Sequence, residues 1–169
     1  MTATTCSMNT RKKTTSQNGF TLIEVMVALV IFTISLLGLA GLQVAALRDN
    51  HLANLNTIAT QLAEDMAERL RANPVGVGNG SYDNIDSDPG HQDCYGSSCS
   101  PDAISRLDAH EWLTAIGEAL PSGKGRVVRN VNGFTITIMW DQERTGATGT
   151  GCSGDYSTDL KCLSLTIQP

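Results

Sequence analysis

The residues best suited to chemistry in this sequence are its cysteines, which can form disulfides or bind zinc. Cys6 stands near the start, and Cys94, Cys99, Cys152 and Cys162 lie far beyond it. The last four allow three pairings. Short loops favour Cys94 with Cys99 and Cys152 with Cys162, and the other two pairings stay open. Zinc fits less well, because the cysteines lack paired short ligand spacings and CYGSSC separates its thiols by four residues.

Carboxylates and imidazoles are the other candidate metal ligands. A loop rich in glycine and serine contains four aspartates: Asp83, Asp86, Asp88 and Asp93. Their spacing does not match an EF-hand calcium loop, and no glutamate closes it, so the simpler interpretation is a solvated acidic loop. The histidines His51, His91 and His110 are far apart in the chain. We interpret them as structural, and we predict neither a metal nor a cofactor.

The remaining sequence argues against catalysis and against nucleic-acid binding. It has no nucleophile elbow, phosphate loop or redox motif. The formal net charge is −5, and the basic residues form no patch beyond Arg11, Lys12 and Lys13. Nucleic-acid binding therefore has little electrostatic support. We predict a non-catalytic protein with no catalytic residues and no nucleic-acid partner.

A long apolar segment follows the basic residues. Residues 25–42 carry no formal charge, and the uncharged run continues to Leu47. At about 1.5 Å per residue, such a helix spans a bilayer core of about 30 Å. Because basic residues precede it, the positive-inside rule places the N-terminus in the cytoplasm and the rest across the membrane. Disulfides agree with this orientation, since they form in oxidising compartments.

Glu24 stands at the start of this apolar segment. A secretory signal peptide cut after Ala46 is one alternative, but its apolar region is usually about 7 to 15 residues long. A simple signal anchor is another. Neither accounts for a carboxylate that costs up to roughly 3 kcal/mol inside a membrane.

The stretch GFTLIE, residues 19–24, resembles the class III leader of type IV pilins and type II secretion pseudopilins. The resemblance implies that a prepilin peptidase cuts between Gly19 and Phe20 and methylates the new amine of Phe20. Residues 1–19 would leave as the leader and take Cys6 with them. The freed amine is largely cationic near neutral pH, and the Glu24 carboxylate would compensate its charge inside a filament core. We therefore predict an assembly role for Glu24.

The elements that must position these residues follow from periodicity. We predict one helix over residues 20–72, with a transmembrane or filament-core part (20–47) and an amphipathic continuation (48–73). The apolar face of the continuation consists of Leu52, Leu55, Ile58, Leu62, Met66 and Leu70. Pro74 ends the helix. Gly38 and Gly41 lie inside the apolar part and are candidate points of helix flexibility, although major pilins often have a proline at the position of Gly41.

Residues 74–169 are predicted to form a periplasmic globular head. We expect a long loop over residues 75–100 and a helix from Pro101 to about Ala119. That helix should bury Ile104, Leu107, Trp112, Ile116 and Leu120. A hairpin with its turn at Asn132 and Gly133, and a strand over residues 159–167, complete the head. The predicted fold class is α+β and type IV pilin-like, with the long helix packed on a small antiparallel sheet.

Four further pieces resemble the type IV pilus modification proteins, a family of low-abundance or minor pilins. They are GLAGLQVAAL, LAEDMAERLRANP, EWLTAIGEALPSGKG and TITIMWD. The resemblance implies an inner-membrane protein that joins other minor pilins, the major pilin and possible tip adhesins in a priming complex at the pilus tip. One alternative is a type II secretion minor pseudopilin of the I type. A different-class alternative is a membrane-anchored periplasmic enzyme or ligand-binding module.

Overall fold

The computed structural model describes residues 19–96 and 98–169, so most of the predicted leader lies outside the described residues. The helices of this part are α1 Leu22–Ala72, α2 Pro74–Gly78 and α3 Pro101–Ala119. The strands are β1 Asn84–Ile85, β2 Lys124–Asn130, β3 Gly133–Trp140 and β4 Lys161–Ile167. The chain divides into two compact units, one ending at Ala45 and one from Ala46 to Pro169.

The first unit contains the start of α1. Every residue from Gly19 to Ala45 is exposed, including its many large apolar side chains. The helix is long and apolar enough to cross a membrane by length and composition, since its most apolar 18-residue window has a mean hydropathy of 2.6. The hydroxyls of Thr33 and Ser35 donate to the carbonyls of Val30 and Ile31 at 2.8 and 2.9 Å. Both polar groups are therefore satisfied within the helix, as an apolar environment requires.

The second unit, the head, begins with the amphipathic part of α1. The residues that this part buries are Leu55, Ala59, Ala63, Met66, Ala67 and Leu70. Of the predicted face, Leu52, Ile58 and Leu62 are only half-buried. Three of these buried residues, Ala59, Ala63 and Ala67, are alanines. The spacing of large apolar residues predicted which face of α1 is buried, but it did not predict that alanines form part of that face.

The loop predicted for residues 75–100 is wrong in its first part, which contains α2 and β1. Asn73 caps α2 because its Oδ1 accepts from the Gly76 N–H at 3.0 Å, and Pro74 occupies the first helical position. Asparagine followed by proline can end one helix, and it is also a signal for the start of the next helix. The sequence therefore contained the signal for α2, and only the stop was predicted.

The helix predicted from Pro101 is confirmed as α3, with the Ser100 hydroxyl accepting from the Ala103 N–H at 3.2 Å. Its buried face was only partly predicted. Trp112, Ile116 and Leu120 are buried, but Ile104 is exposed and Leu107 is half-buried. Twelve residues rotate a helix by about 120° beyond complete turns, so Ile104 cannot share a face with Ile116. The small Ala109 is buried on this helix, whereas the larger Ile104 and Leu107 are not.

The sheet is antiparallel in the order β1-β2-β3-β4. The predicted hairpin is present, but its two-residue turn is Val131 and Asn132, since Asn130 pairs with Gly133. Gly133 opens β3 with a φ of 126°, and a Cβ there would lie 2.0 Å from the Ile167 carbonyl oxygen. Gly133 is thus required by the close approach of β4 to the end of the hairpin.

The head core lies between the sheet, α3 and the amphipathic part of α1. Phe134, Ile136 and Ile138 alternate into it from β3, as the strand periodicity predicted. Trp112 from α3 is fully buried there, and its indole N–H donates to the Leu62 carbonyl of α1 at 2.8 Å. A long N-terminal helix packed on a small antiparallel sheet, with a second helix, confirms the predicted type IV pilin-like α+β fold.

Candidate processing and assembly site

The first residues of the described chain form an accessible segment before α1. Gly19, Phe20 and Thr21 are not helical, and α1 begins at Leu22. Phe20 is 82% exposed, and among the described residues nothing beyond the chain neighbours of Gly19 lies within 4 Å of a Cβ placed on it. The peptide bond between Gly19 and Phe20 is therefore outside the hydrogen-bonded helix. A peptidase can reach it without unwinding a helical turn.

Glu24 occupies the third position of α1, and Thr21 directly precedes the helix. The Glu24 N–H lies 3.4 Å from Thr21 Oγ1 and donates to the Thr21 carbonyl at 3.1 Å. Threonine followed three residues later by glutamate is the capping-box pattern, and a carboxylate in the first turn complements the helix dipole. This local role was readable in the sequence but was not predicted. It stabilises by about 1 kcal/mol, which is less than a carboxylate costs in an apolar core.

Gly38 and Gly41 lie within an unbroken stretch of α1. Within residues 19–96 and 98–169, no atom outside the local helix backbone lies within 4 Å of a Cβ placed on either glycine. Neither glycine is therefore explained by close packing among the described residues. Their role in helix flexibility stays a prediction.

The four distal cysteines form two disulfides, Cys94–Cys99 and Cys152–Cys162. Their Cα–Cα distances are 5.7 and 5.6 Å, within the range of natural disulfides. These are the pairs that short loops favoured. The first lies outside the helices and strands, and the second joins the loop before β4 to Cys162 of that strand.

The aspartates of the acidic loop bind different partners. Asp83 pairs with Arg129 at 2.5 Å, and Asp88 contacts His110 Nδ1 at 2.8 Å. The hydrogen bond with His110, followed by that from the Gly90 N–H, lowers the pKa of Asp88. Within residues 19–96 and 98–169, no group of three or more histidine, cysteine or acidic side chains is arranged to hold a metal ion.

Sequence reasoning missed a cluster of charges around Arg69 near the end of α1. The Arg69 guanidinium contacts Asp65 at 2.9 Å, Asp108 at 3.0 Å and Glu111 at 2.8 Å. Burial alone would lower its pKa, but the hydrogen bonds to Glu111, Asp65 and Asp108 outweigh it and raise the pKa of Arg69. Asp108 and Glu111 come from α3, about 40 residues away, so no local pattern could have shown the cluster.

Two tyrosines extend this cluster into the neighbouring loops. The buried Tyr82 hydroxyl donates to Asp108 at 2.5 Å and accepts from Asn73 Nδ2 at 3.1 Å. Burial and the bond to Asp108 raise the pKa of Tyr82. The Tyr95 hydroxyl, within the Cys94–Cys99 loop, donates to Glu111. The cluster thus joins α1, α3 and the loops, and its groups are paired with one another as in a structural network.

Comparison with known proteins identifies one matching family model. The model of the prokaryotic N-terminal methylation motif matches residues 14–40, a segment that includes Gly19, Phe20 and Glu24. No curated protein and no solved structure is similar to this chain at a significant level. The motif supports a type IV pilin-like protein, either a pilin or a pseudopilin. It implies processing by a prepilin peptidase and assembly with other pilins, and it suggests a structural, non-catalytic protein.

Proposed function

We propose that this chain is a minor type IV pilin, similar to the pilus modification protein PilV, that joins a priming complex at the pilus tip. The observation that carries the proposal is the methylation motif at the start of a long helix whose apolar part, residues 22–45, is exposed. In this proposal residues 1–19 are the leader, 20–47 cross the inner membrane and later enter the filament core, and 48–73 continue the helix. Residues 74–169 are the periplasmic part of the head.

Processing creates the charge that Glu24 compensates. Cleavage between Gly19 and Phe20 frees an amine that is largely protonated near neutral pH, and methylation preserves its charge. When apolar helices assemble into a filament, this cation enters a medium where an unpaired charge is costly. Glu24 lies four residues after Phe20 and can pair with the amine of its own chain or of a neighbouring subunit. Such pairing also fixes the axial position of the subunit.

The proposed partners are other minor pilins, the major pilin and a tip adhesin. Support for a minor pilin comes from four sequence pieces similar to PilV, which lie in both units of the chain. A protein in this position contributes to twitching motility and adhesion by starting assembly, without a catalytic site.

Mass spectrometry of sheared filaments tests processing and location together. We expect a substoichiometric mature chain that begins with N-methylated Phe20 and contains no Cys6. A mature chain beginning at Leu47 would instead identify a secretory signal peptide and would overturn the proposal.

Glu24→Leu tests the assembly role. We expect normal cleavage at Gly19, normal unfolding of the head and a loss of filament incorporation of at least about tenfold, which corresponds to about 1.4 kcal/mol. Asp49→Leu is the matched control, since Asp49 is an exposed carboxylate of α1 outside the apolar segment. A membrane-anchored periplasmic enzyme or binding module would tolerate both substitutions equally.

A type II secretion pseudopilin of the I type is the second candidate, because the methylation motif is common to both classes. Deletion of the gene separates them. We expect lost twitching with normal secretion of exoproteins. Normal twitching with lost secretion would favour the pseudopilin.

A further inference from the structure

The sheet ends in an uncovered strand. β4 is the last strand in the order β1-β2-β3-β4, and it contains no proline or bulge across its seven residues. Ser164 and Thr166 are exposed near its end. Natural proteins usually protect a free edge strand, because its backbone N–H and C=O groups can pair with another chain.

The ladder identifies which backbone groups are free. The Arg129 N–H donates to the Asp83 carbonyl at 2.9 Å, so the backbone groups of Arg129 face β1. In an antiparallel ladder successive residues face opposite neighbours, so those of Phe134, opposite Arg129 on β3, face β4. Phe134 pairs with Ile167. The backbone groups of Ile167 therefore point inward to β3, and those of Thr166 point outward.

The same alternation continues along β4. The backbone groups of Leu165 bond inward to Ile136, and those of Ser164 point outward. The side chains agree, since Ser164 Oγ lies 3.1 Å from Thr137 Oγ1, as expected where opposite residues share no backbone hydrogen bond. No residue within 19–96 or 98–169 forms a hydrogen bond with the outward N–H or C=O groups of Ser164 and Thr166.

A groove of about 340 Å³ lies beside this edge, between β4 and α1. Leu165 and Ile167 line it from β4, and Ala67 lines it from α1. Ala67 is nearly fully buried, and its small side chain leaves space above it. A strand added next to β4 would direct every second side chain toward this apolar surface.

The helix wall of the groove carries an excess of negative charge. Glu64, Glu68 and Arg71 line it. Arg71 pairs with Glu68 at 2.6 Å, whereas no ion pair is formed by Glu64 with any residue of the described chain. A basic side chain opposite Glu64 would neutralise the excess negative charge on the helix side of the groove.

We propose that the outer edge of β4 and the adjoining groove bind an extended segment of another protein, which adds a strand to the sheet. That segment has an apolar residue at every second position toward the groove and a lysine or arginine opposite Glu64. Backbone hydrogen bonds to Ser164 and Thr166 supply affinity, and the groove and Glu64 supply specificity. The site does not depend on removal of the leader.

The charge of the groove selects the occupant. Glu64 on the helix wall favours a strand with a basic side chain, which we assign to a different protein. A second copy of this chain is the alternative occupant that the experiments below distinguish.

Full-length protein in lipid nanodiscs and an eight-residue probe peptide test the proposal. The peptide alternates valine with threonine and has one central lysine in place of a valine. A matched peptide has glutamate at that position. We expect the lysine peptide to bind and to slow amide exchange at Ser164 and Thr166 at least about tenfold, since each slowing by ten reports about 1.4 kcal/mol of protection. Unchanged exchange at both amides under saturating peptide would overturn the site.

Proline variants separate edge pairing from general folding. Ser164→Pro removes an outward N–H, which an edge strand tolerates, and Ser164→Ala keeps this N–H. Both variants lose the hydroxyl next to Thr137, so the comparison isolates the N–H. We expect at least tenfold weaker peptide binding for Ser164→Pro and unchanged binding for Ser164→Ala. If Ser164→Pro lowers the melting temperature of the head, Thr166→Pro replaces it. Normal binding by a folded proline variant would contradict the proposal.

Glu64→Lys tests specificity without touching the sheet. We expect it to reverse the preference between the lysine and glutamate peptides. An unchanged preference would exclude the charge role, and dimers lost upon Ser164→Pro would identify a second copy as the occupant. In cells, Ser164→Pro should leave N-methylation of Phe20 intact, so failure at this edge is distinguishable from failure of the proposed processing.

Discussion

Residues 22–45 and 46–72 belong to the same helix, yet they use their apolar side chains differently. In the first region every side chain is exposed, including Leu22 at 79% and Leu37 at 74%. In the second, Leu55, Met66 and Leu70 are nearly or fully buried in the head core. The helix is continuous through both regions, so secondary structure does not distinguish them.

The difference shows where each region obtains its stability. Burying a large apolar side chain contributes about 1.5 to 3 kcal/mol. The head obtains this contribution from its own sheet and from α3. The first region has no such partners among the described residues, and its length and composition suit a helix that crosses a membrane. Residues 46–72 are stabilised by packing within the head, whereas the composition of residues 22–45 suits an apolar environment.

The largest expected effect is on the head core. Trp112→Ala should lower the free energy of unfolding of the head by about 3 to 5 kcal/mol, because it leaves a cavity and removes the hydrogen bond to Leu62. Thermal or denaturant unfolding of the full chain in detergent, followed by circular dichroism, measures it. Leu37→Ala is the control and should leave the head transition unchanged. A similar loss from both variants would mean that the regions do not differ in this way.

A smaller effect is expected at the charged cluster. Arg69→Ala should destabilise the head by about 2 kcal/mol, since it leaves the part-buried Asp108 and Glu111 without their cation. Arg71→Ala is the matched control in the same helix turn. Its exposed pair with Glu68 contributes at most about 1 kcal/mol. Equal losses in denaturant melts would show that the Arg69 cluster has no special structural role.

The smallest effect is a pH dependence at Glu111. The hydrogen bond from Tyr95, followed by that from Arg69, lowers the pKa of Glu111. Its folded pKa lies below the unfolded value of about 4.3, so its contribution is complete above that value and is lost as the pH falls through the folded pKa.

Unfolding measured between pH 5 and pH 3 should therefore show a smaller loss of stability in Glu111→Gln than in the wild type, by up to about 1 kcal/mol. Glu118→Gln is the control, because Glu118 is an exposed carboxylate of the same helix. A slope that changes equally in both variants would assign the effect to net charge.

Local patterns predicted the elements of the fold well. The apolar run, the caps and prolines of the helices, and the alternation in β3 each depend on neighbouring residues. The leader motif likewise lies within a few residues, so the roles of Gly19, Phe20 and Glu24 were predicted without the structure, and the family model matches the segment that contains them. The hairpin turn was misplaced by one residue, because Asn132–Gly133 looks like a turn whereas Gly133 is needed against β4.

The sequence by itself determined that this chain has an apolar helix with a processing motif and an α+β head stapled by cysteines. The tertiary structure alone decided which side chains meet: Arg69 with two carboxylates of α3, Trp112 with the backbone of α1, and β4 at the open edge of the sheet. The physical reason is distance along the chain. Caps and periodicity act over one or two helical turns, whereas these contacts join residues that only folding brings together.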